Sequence, residues 1–438
     1  MKIKVTNMEY DKVLALKREK HKPPIRQGKA LRTLLKTLSQ AELKSVDFSC
    51  SKEGMDRLKD DEPCMFIMNH SSFIDLKIAS VVLYPRQFHI ICTNDGFVGK
   101  NALLRAIGCI PTKKFINDAT LIKDINYAVK KLNSSILMYP EASYSFDGTA
   151  TPLPKSMGKF LKMLGIPVVM IRTYGAFSRD PLYNGLRVRD VKVTADMKYL
   201  LSPQQLTELN YNEINEILKK EFTFDHFRWQ HDNGIRIDED FRAEGLERVL
   251  YKCPACGREG HLHGHGTKLT CGNCGKEYEL NEYGMLTSDA GEAEYEYVSD
   301  WYEWERSCVR DELNNFAYKL DIPVNIGMLI DTKSIYMIGR GRLVHTDNGF
   351  ILDGCDGKLH YEQSPEKSYS LYSDYYWYEI GDVICIGDNK TQYYCFPVNE
   401  EDNDEAVIVA KARLATEEIF KKQDKRRNRA DTLEENSK

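Results

Sequence analysis

The chain predicts an α/β domain built on a central mixed or parallel sheet. A small four-cysteine metal ribbon and a β-rich domain closed by a helix follow it. Three observations carry this. Residues 61–200 alternate short apolar runs with amphipathic stretches, the pattern of strands and helices in turn. Two tight cysteine pairs lie between 253 and 274. From 321 to 397, short β-rich runs are separated by Gly, Asp and Asn turns.

The elements follow in order. Residues 1–60 form a basic helical segment, with eleven Lys/Arg against three Asp/Glu in the first forty residues. Leu31, Leu34, Leu35 and Leu38 recur at helical spacing, and Lys29, Arg32 and Lys36 lie off that stripe. Such a helix either packs on the next domain or lies on an anionic membrane. In the domain at 61–245, Cys64–Met68, Phe88–Cys92, Ser135–Tyr139 and Ile166–Ile171 read as buried strands. Asp118 caps a helix running to Leu132, and Ser202-Pro203 opens one that continues towards Phe222. Phe222, Phe224, Phe227 and Trp229 read as core packing. The ribbon spans 248–285 and an acidic helical connector 287–320. The β-rich domain, 321–422, resembles a pleckstrin-homology or GRAM module. It ends in one helix, Ala406–Lys421, and 423–438 reads as a disordered tail. Within the β-rich domain, Tyr375, Tyr376, Trp377 and Tyr378 form an aromatic run. A strand there would bury half and expose half, as an interaction patch or as plain surface.

Composition bounds the function. A chain of 438 residues holds two to four domains at roughly 100–200 residues each. Its 61 Lys/Arg and 65 Asp/Glu leave −4, which argues against a basic nucleic-acid binder. The first forty residues carry +8, so the remainder carries −12. No apolar run approaches the roughly 18 residues of a spanning helix, and the N-terminus lacks the apolar core of a signal peptide. The expected setting is the cytoplasm.

Candidate chemistry sits at the carboxyl ends of the predicted strands, where α/β sheets bind ligands. Asn69 and His70 follow the first strand, and Asp75 stands five residues after the histidine. A carboxylate there can accept the imidazole N–H and leave the opposite nitrogen as a general base. A hydrogen-bonded loop histidine is the plain alternative. Ser71 and Ser72 invite a serine-hydrolase reading, but the chain has no Gly-x-Ser-x-Gly elbow.

Four blocks between 69 and 169 together resemble the glycerolipid acyltransferase family that includes 1-acylglycerol-3-phosphate acyltransferases. Asn69, His70 and Asp75 match its Asn-His-x4-Asp block. Tyr139-Pro140-Glu141-Ala142-Ser143-Tyr144-Ser145 is similar to its Phe-Pro-Glu-Gly-Thr-Arg-Ser block. Lys155-Ser156-Met157-Gly158 looks like its Lys-x-Gly element with one extra residue, and Ile166-Pro167-Val168-Val169 is similar to its Val-Pro strand. The resemblance implies transfer of a fatty acyl group from acyl-CoA or acyl carrier protein to a hydroxyl of a lysophospholipid-like or other lipid acceptor. His70 is then the general base and Asp75 its orienting group. Asn69, Ser71, Lys113, Lys114, Glu141, Ser143, Tyr144 and Lys155 become substrate contacts. It also implies a peripheral membrane protein on the inner face of the membrane, in contact with a lipid acceptor and in one version with acyl carrier protein.

Two departures stand out. The family's third block carries an arginine that grips the acceptor phosphate, and here that position is Tyr144, which offers no cationic fork. The second block usually supplies another arginine; here Lys113 and Lys114 either hold a phosphate or form a solvated pair. These departures keep open a second reading, a catalytically degenerate lipid-binding adaptor.

Cys253-Pro254-Ala255-Cys256-Gly257 and Cys271-Gly272-Asn273-Cys274-Gly275 are two Cys-x2-Cys-Gly knuckles, fourteen residues apart. Four thiolates satisfy tetrahedral zinc, so a structural zinc ribbon is expected. Its few cations and the acidic stretch after it oppose a phosphate backbone, and no nucleic-acid partner is expected.

Overall fold

The computed structural model describes residues 3–116, 118–289, 291–398 and 405–435, with the side chains of the last segment described from 409 to 424. Val5–Asn7 (β1), Tyr10–Leu14 (α1), Lys29–Ser45 (α2) and Ser49–Glu53 (β2) open the chain. Strands and helices then alternate: Met65–Met68 (β3), Ile74–Val82 (α3), Phe88–Thr93 (β4), Asn101–Ala106 (α4), Cys109–Thr112 (β5), Ala119–Leu132 (α5), Ser135–Met138 (β6), Met157–Leu164 (α6), Val168–Tyr174 (β7), Ala176–Arg179 (α7) and Thr194–Leu201 (β8). The strand order is β2-β8-β7-β3-β6-β4-β5. All pairs are parallel except β7–β8. The expected mixed sheet is therefore present. β3 is buried on both faces, and its residues divide by alternation. Phe66 and Met68 pack with Ile74 and Ile78 of α3 and Leu43 of α2; Met65 and Ile67 pack with Ile125 of α5 and Leu161 of α6.

Local signals set the boundaries. Asp118 caps α5, accepting from the Thr120 N–H at 2.9 Å. The single helix expected from Ser202 is two: Pro203–Glu208 (α8) and Tyr211–Phe222 (α9). Asn210 and Glu213 form a second capping box that restarts the helix. His226–Asp232 (α10) follows. The stripe on α2 also differs from expectation. Ser39 and Leu43 are its buried residues, whereas Leu34 and Leu38 face solvent.

The ribbon strands Leu262–His265 (β9), Lys268–Cys271 (β10), Glu277–Leu280 (β11) and Leu286–Ser288 (β12) form an antiparallel sheet ordered β12-β11-β10-β9. Within the acidic connector, Val298–Asn314 (α11) is helical and buries Trp301, Tyr302 and Val309.

Leu320–Leu329 (β13), Ile335–Thr346 (β14), Gly349–Gly354 (β15), Leu359–Gln363 (β16), Tyr372–Trp377 (β17), Gly381–Gly387 (β18) and Gln392–Pro397 (β19) run in the order β16-β15-β14-β13-β19-β18-β17, with β1 joining β14 in parallel. Residues 334–339 and 342–346, two of the short β-rich runs, fuse into β14, and Gly341 between them is no turn: any Cβ there would strike the Asp353 carbonyl of β15 and the Ile326 side chain of β13. The final helix, Glu405–Glu435 (α12), runs past Lys421 through most of the expected disordered tail. Its Lys-, Arg-, Glu- and Ala-rich sequence favours helix. The end of that expected tail, 436–438, lies outside the described residues. No helix among the described residues is long and apolar enough to cross a membrane.

The two large sheets meet. Val98 and Phe115 of the first domain share an apolar cluster with Leu329, Ile335, Trp377 and Phe396 of the last. The Tyr372 hydroxyl and the Trp377 indole N–H both donate to Asp95 Oδ2. The N-terminal segment also bridges them. β1 lies on β14, Arg18 donates to the Lys390 carbonyl, His21 reaches Asp124 of α5 at 3.0 Å, and Gln27 donates to the Ile107 carbonyl at 2.9 Å.

Candidate active site and metal centre

The carboxyl ends of β3, β4, β5 and β6 open on a cavity of about 1260 Å³. His70 follows β3, and Asp75 lies in the first turn of α3. His70 Nδ1 stands 3.1 Å from Asp75 Oδ2. The same oxygen accepts the backbone N–H groups of Ser71 at 2.8 Å and Ser72 at 3.2 Å. An oxygen that only accepts requires the hydrogen on Nδ1, which leaves the Nε2 lone pair unprotonated. The imidazole stacks between Tyr139 and Tyr144, at ring separations of 4.1 and 4.2 Å. Burial lowers the pKa of His70; Asp75 opposes this and Lys114 adds to it.

The other expected site residues divide into two sets. Lys113, Lys114, Tyr144 and Lys155 line the cavity with His70 and Asp75. Asn69, Ser71, Glu141 and Ser143 are buried outside that lining. Asn69 joins the ends of β3 and β7: its Oδ1 accepts from the Thr173 N–H at 2.8 Å, and its Nδ2 donates to Ser71 Oγ at 3.2 Å. Ser71 Oγ is in turn 3.5 Å from His226 Nε2. Glu141 accepts the backbone N–H groups of His70 at 2.8 Å and Thr151 at 2.9 Å, one on each oxygen. Burial pushes its carboxyl up to about 8, against those two donors. Ala142 adopts φ +58°, which explains why the resembled motif carries glycine there. Gly158 of the Lys-x-x-Gly element is also a packing residue, because a Cβ would strike the Tyr211 carbonyl of α9.

The last domain supplies part of the wall, which sequence reasoning missed. Tyr372, Asp374, Tyr375, Tyr376 and Tyr378 line the cavity opposite the strand ends. The aromatic run was the available signal, but nothing in it named its partner. Lys114 lies 4.1 Å over the Tyr372 ring. Burial lowers the Lys114 pKa against the pull of Asp374 and Asp95. Burial raises the Asp374 carboxyl to about 7, with Lys114 opposing. Lys155 also forms an ion pair with Asp424 of α12.

The four ribbon cysteines converge, their sulfurs all within 4.8 Å of one another. Cys253 to Cys274 and Cys256 to Cys271 are each 3.8 Å. A tetrahedron with zinc–sulfur bonds of about 2.3 Å has edges of about 3.8 Å, so the donor set fits zinc. Gly257 and Gly275 take φ of +73° and +76° and close each knuckle by donating to the carbonyls of Cys253 and Cys271.

Comparison with known proteins bears on the first domain. Residues 49–173, within the first domain, match the family model described as Acyltransferase. The chain is 27% identical over 128 residues to the chloroplastic 1-acyl-sn-glycerol-3-phosphate acyltransferase BAT2 of Brassica napus, covering 28% of this chain and 36% of that protein. It is 25% identical over 125 residues to 1-acyl-sn-glycerol-3-phosphate acyltransferase beta of Homo sapiens, covering 28% of this chain and 45% of that one. The chain thus spans less than half the length of either relative. The crystal structure of the 1-acyl-sn-glycerophosphate acyltransferase PlsC from Thermotoga maritima aligns over 43% of this chain and 77% of that chain, with 17% identity and a TM-score of 0.34.

Glu141 generates a test of this geometry. Glu141→Ala strands two buried N–H donors, each at a cost of about 1–3 kcal/mol. Equilibrium urea unfolding should register a loss of at least about 2 kcal/mol; a smaller loss would show that the two hydrogen bonds do not hold the loops together.

Proposed function

We propose that the protein is a glycerolipid-type O-acyltransferase that moves a fatty acyl group from an acyl thioester, acyl-CoA or acyl carrier protein, to the hydroxyl of a lipid acceptor. The observation that carries this is the His70–Asp75 pair at the mouth of a large cavity, inside the segment that matches the acyltransferase family. His70 Nε2 takes the acceptor's hydroxyl proton while Asp75 holds the ring and offsets its charge. The oxygen bonds to the thioester carbonyl carbon, the carbon–sulfur bond breaks, and the imidazolium returns the proton to the leaving thiolate. Asn69, Ser71 and Glu141 act from behind the wall as positioning residues.

In this reading His70→Ala lowers thioester-dependent thiol release by about 10²–10⁴-fold in a protein that remains folded by circular dichroism. The base works in its neutral form, so kcat/KM rises with pH through the His70 pKa. Because burial lowers that pKa, the acidic limb lies below 6.5. Full activity in the alanine variant, or a limb well above 6.5, would reject His70 as the base. If no alcohol supports His70-dependent release, the lipid-binding adaptor, favoured by Tyr144 in place of arginine, takes its place.

The ribbon is proposed as a structural zinc site of Cys253, Cys256, Cys271 and Cys274. Zinc there would tie two knuckles whose backbone already packs on α11 through the Trp301 indole, which donates to the Lys252 carbonyl at 2.9 Å. The purified chain should carry one zinc per molecule by atomic emission, and Cys253→Ser should fall to near zero; full retention would refute the site.

The proposed contact with a membrane surface, at its inner, cytoplasmic face, centres on the cavity mouth. Phe73, 53% exposed, and Met163, 54% exposed, stand there with Leu76 and Ile122. Met163→Glu should reduce co-sedimentation with anionic liposomes several-fold; unchanged binding would exclude this surface.

A further inference from the structure

The cavity has a charge arrangement that the first domain alone does not create. Tyr144 occupies the position where the resembled motif has its arginine, and it packs against His70 and Phe73. Beside it, the last domain delivers a carboxylate. Asp374 lies in β17 at a break in register between β17 and β18, where Tyr376 and Tyr378 take left-handed φ of +50° and +47°. Its Oδ1 accepts the Tyr375 N–H at 2.9 Å, which fixes the group on the cavity wall. Asp374, Tyr144 and Lys114 line the same cavity. In place of the motif's arginine this cavity has a phenol, and it adds the Asp374 carboxyl, whose anionic form Lys114 favours against burial. Lys113 and Lys114 follow β5 and line the same cavity. Aromatic faces, Tyr376 and Tyr378, border the carboxylate.

A dianionic headgroup fits this poorly, because the carboxylate repels it and no guanidinium fork compensates. A headgroup carrying one anion and one cation fits both sides. The lysines take a singly charged phosphodiester, and the carboxylate with its aromatic neighbours takes an ammonium. Resting on the acyl-transfer reading above, we propose that the acceptor is a lysophospholipid with an ammonium-bearing phosphodiester headgroup, selected over a phosphomonoester by Asp374 of the C-terminal domain.

The test uses the full chain and His70-dependent thiol release from one acyl-CoA. The acceptors are lysophosphatidylethanolamine, lysophosphatidylcholine, 1-acylglycerol-3-phosphate and monoacylglycerol. At least one ammonium lipid should exceed the phosphomonoester and the uncharged lipid in kcat/KM by about tenfold or more. Asp374→Asn should erase most of that preference, and Asp374→Glu should keep it. Tyr144→Arg should shift use towards the phosphomonoester, which gives a second reading if the asparagine variant does not fold. Equal or better use of the phosphomonoester or monoacylglycerol, or a preference untouched by both Asp374→Asn and Tyr144→Arg, overturns the proposal while acyl transfer stands. Absence of His70-dependent release with every acceptor overturns both.

Discussion

One carboxylate oxygen organises the candidate site. Asp75 Oδ2 receives the His70 ring and the backbone N–H groups of Ser71 and Ser72 at once. Asp75, Ser71 and Ser72 are almost wholly buried, so the two backbone N–H groups have no water as a substitute. Leaving any of them unpaired costs about 1–3 kcal/mol, and one loop path from β3 into α3 satisfies all three. The arrangement depends in turn on where β3 ends. Asn69 pins that end to Thr173 of β7, and Glu141 pins the His70 backbone to the loop after β6. The orientation of a single imidazole is thus a property of three neighbouring strands.

The wall that the C-terminal domain gives the cavity depends on contacts that are distant in sequence. Asp95, in the turn after β4, accepts from Tyr372 and Trp377, and the Arg413 guanidinium of α12 donates to Thr151 Oγ1 at 2.9 Å and lies 3.9 Å from the Phe146 ring. Through these contacts the C-terminal sheet is part of the cavity wall. The segment that matches the Acyltransferase model, 49–173, contains His70 and Asp75 but not Asp374 or the tyrosines that line the cavity with them. The shape and charge of the cavity are therefore set partly by residues outside that segment.

Legibility in the sequence followed the range of the interactions. The Asp118 cap, the buried strands and the convergence of four cysteines are written in local spacing, and all are present. The break at Asn210 was equally local but was hidden by a continuous helical stripe. His70 and Asp75 were legible because five residues across a strand–helix turn bring them together. The opposing wall was not, because the aromatic run at 375–378 has the same local pattern whether it meets solvent or another domain. Gly341 misled for a related reason: a close approach between strands and a turn both call for glycine, and only the fold distinguishes them.

The uneven charge of the chain takes a different meaning once the N-terminal segment is seen. Arg18 is bonded to the loop before β19, Arg26 donates to Gln87 at 2.9 Å, and Lys36 lies 4.6 Å over the Tyr84 ring. Arg18 thus serves the contact with the C-terminal sheet, and Arg26 and Lys36 are held on the first domain. Among the residues that α2 leaves to solvent are two large apolar ones, Leu34 and Leu38, on the helix that packs against α3. Surface charge attraction fades within about 8 Å at physiological salt, whereas burial of apolar side chains is not screened. A lipid surface meeting this protein at the cavity mouth would therefore be held chiefly by Phe73, Leu76, Ile122 and Met163, with the basic excess steering the approach.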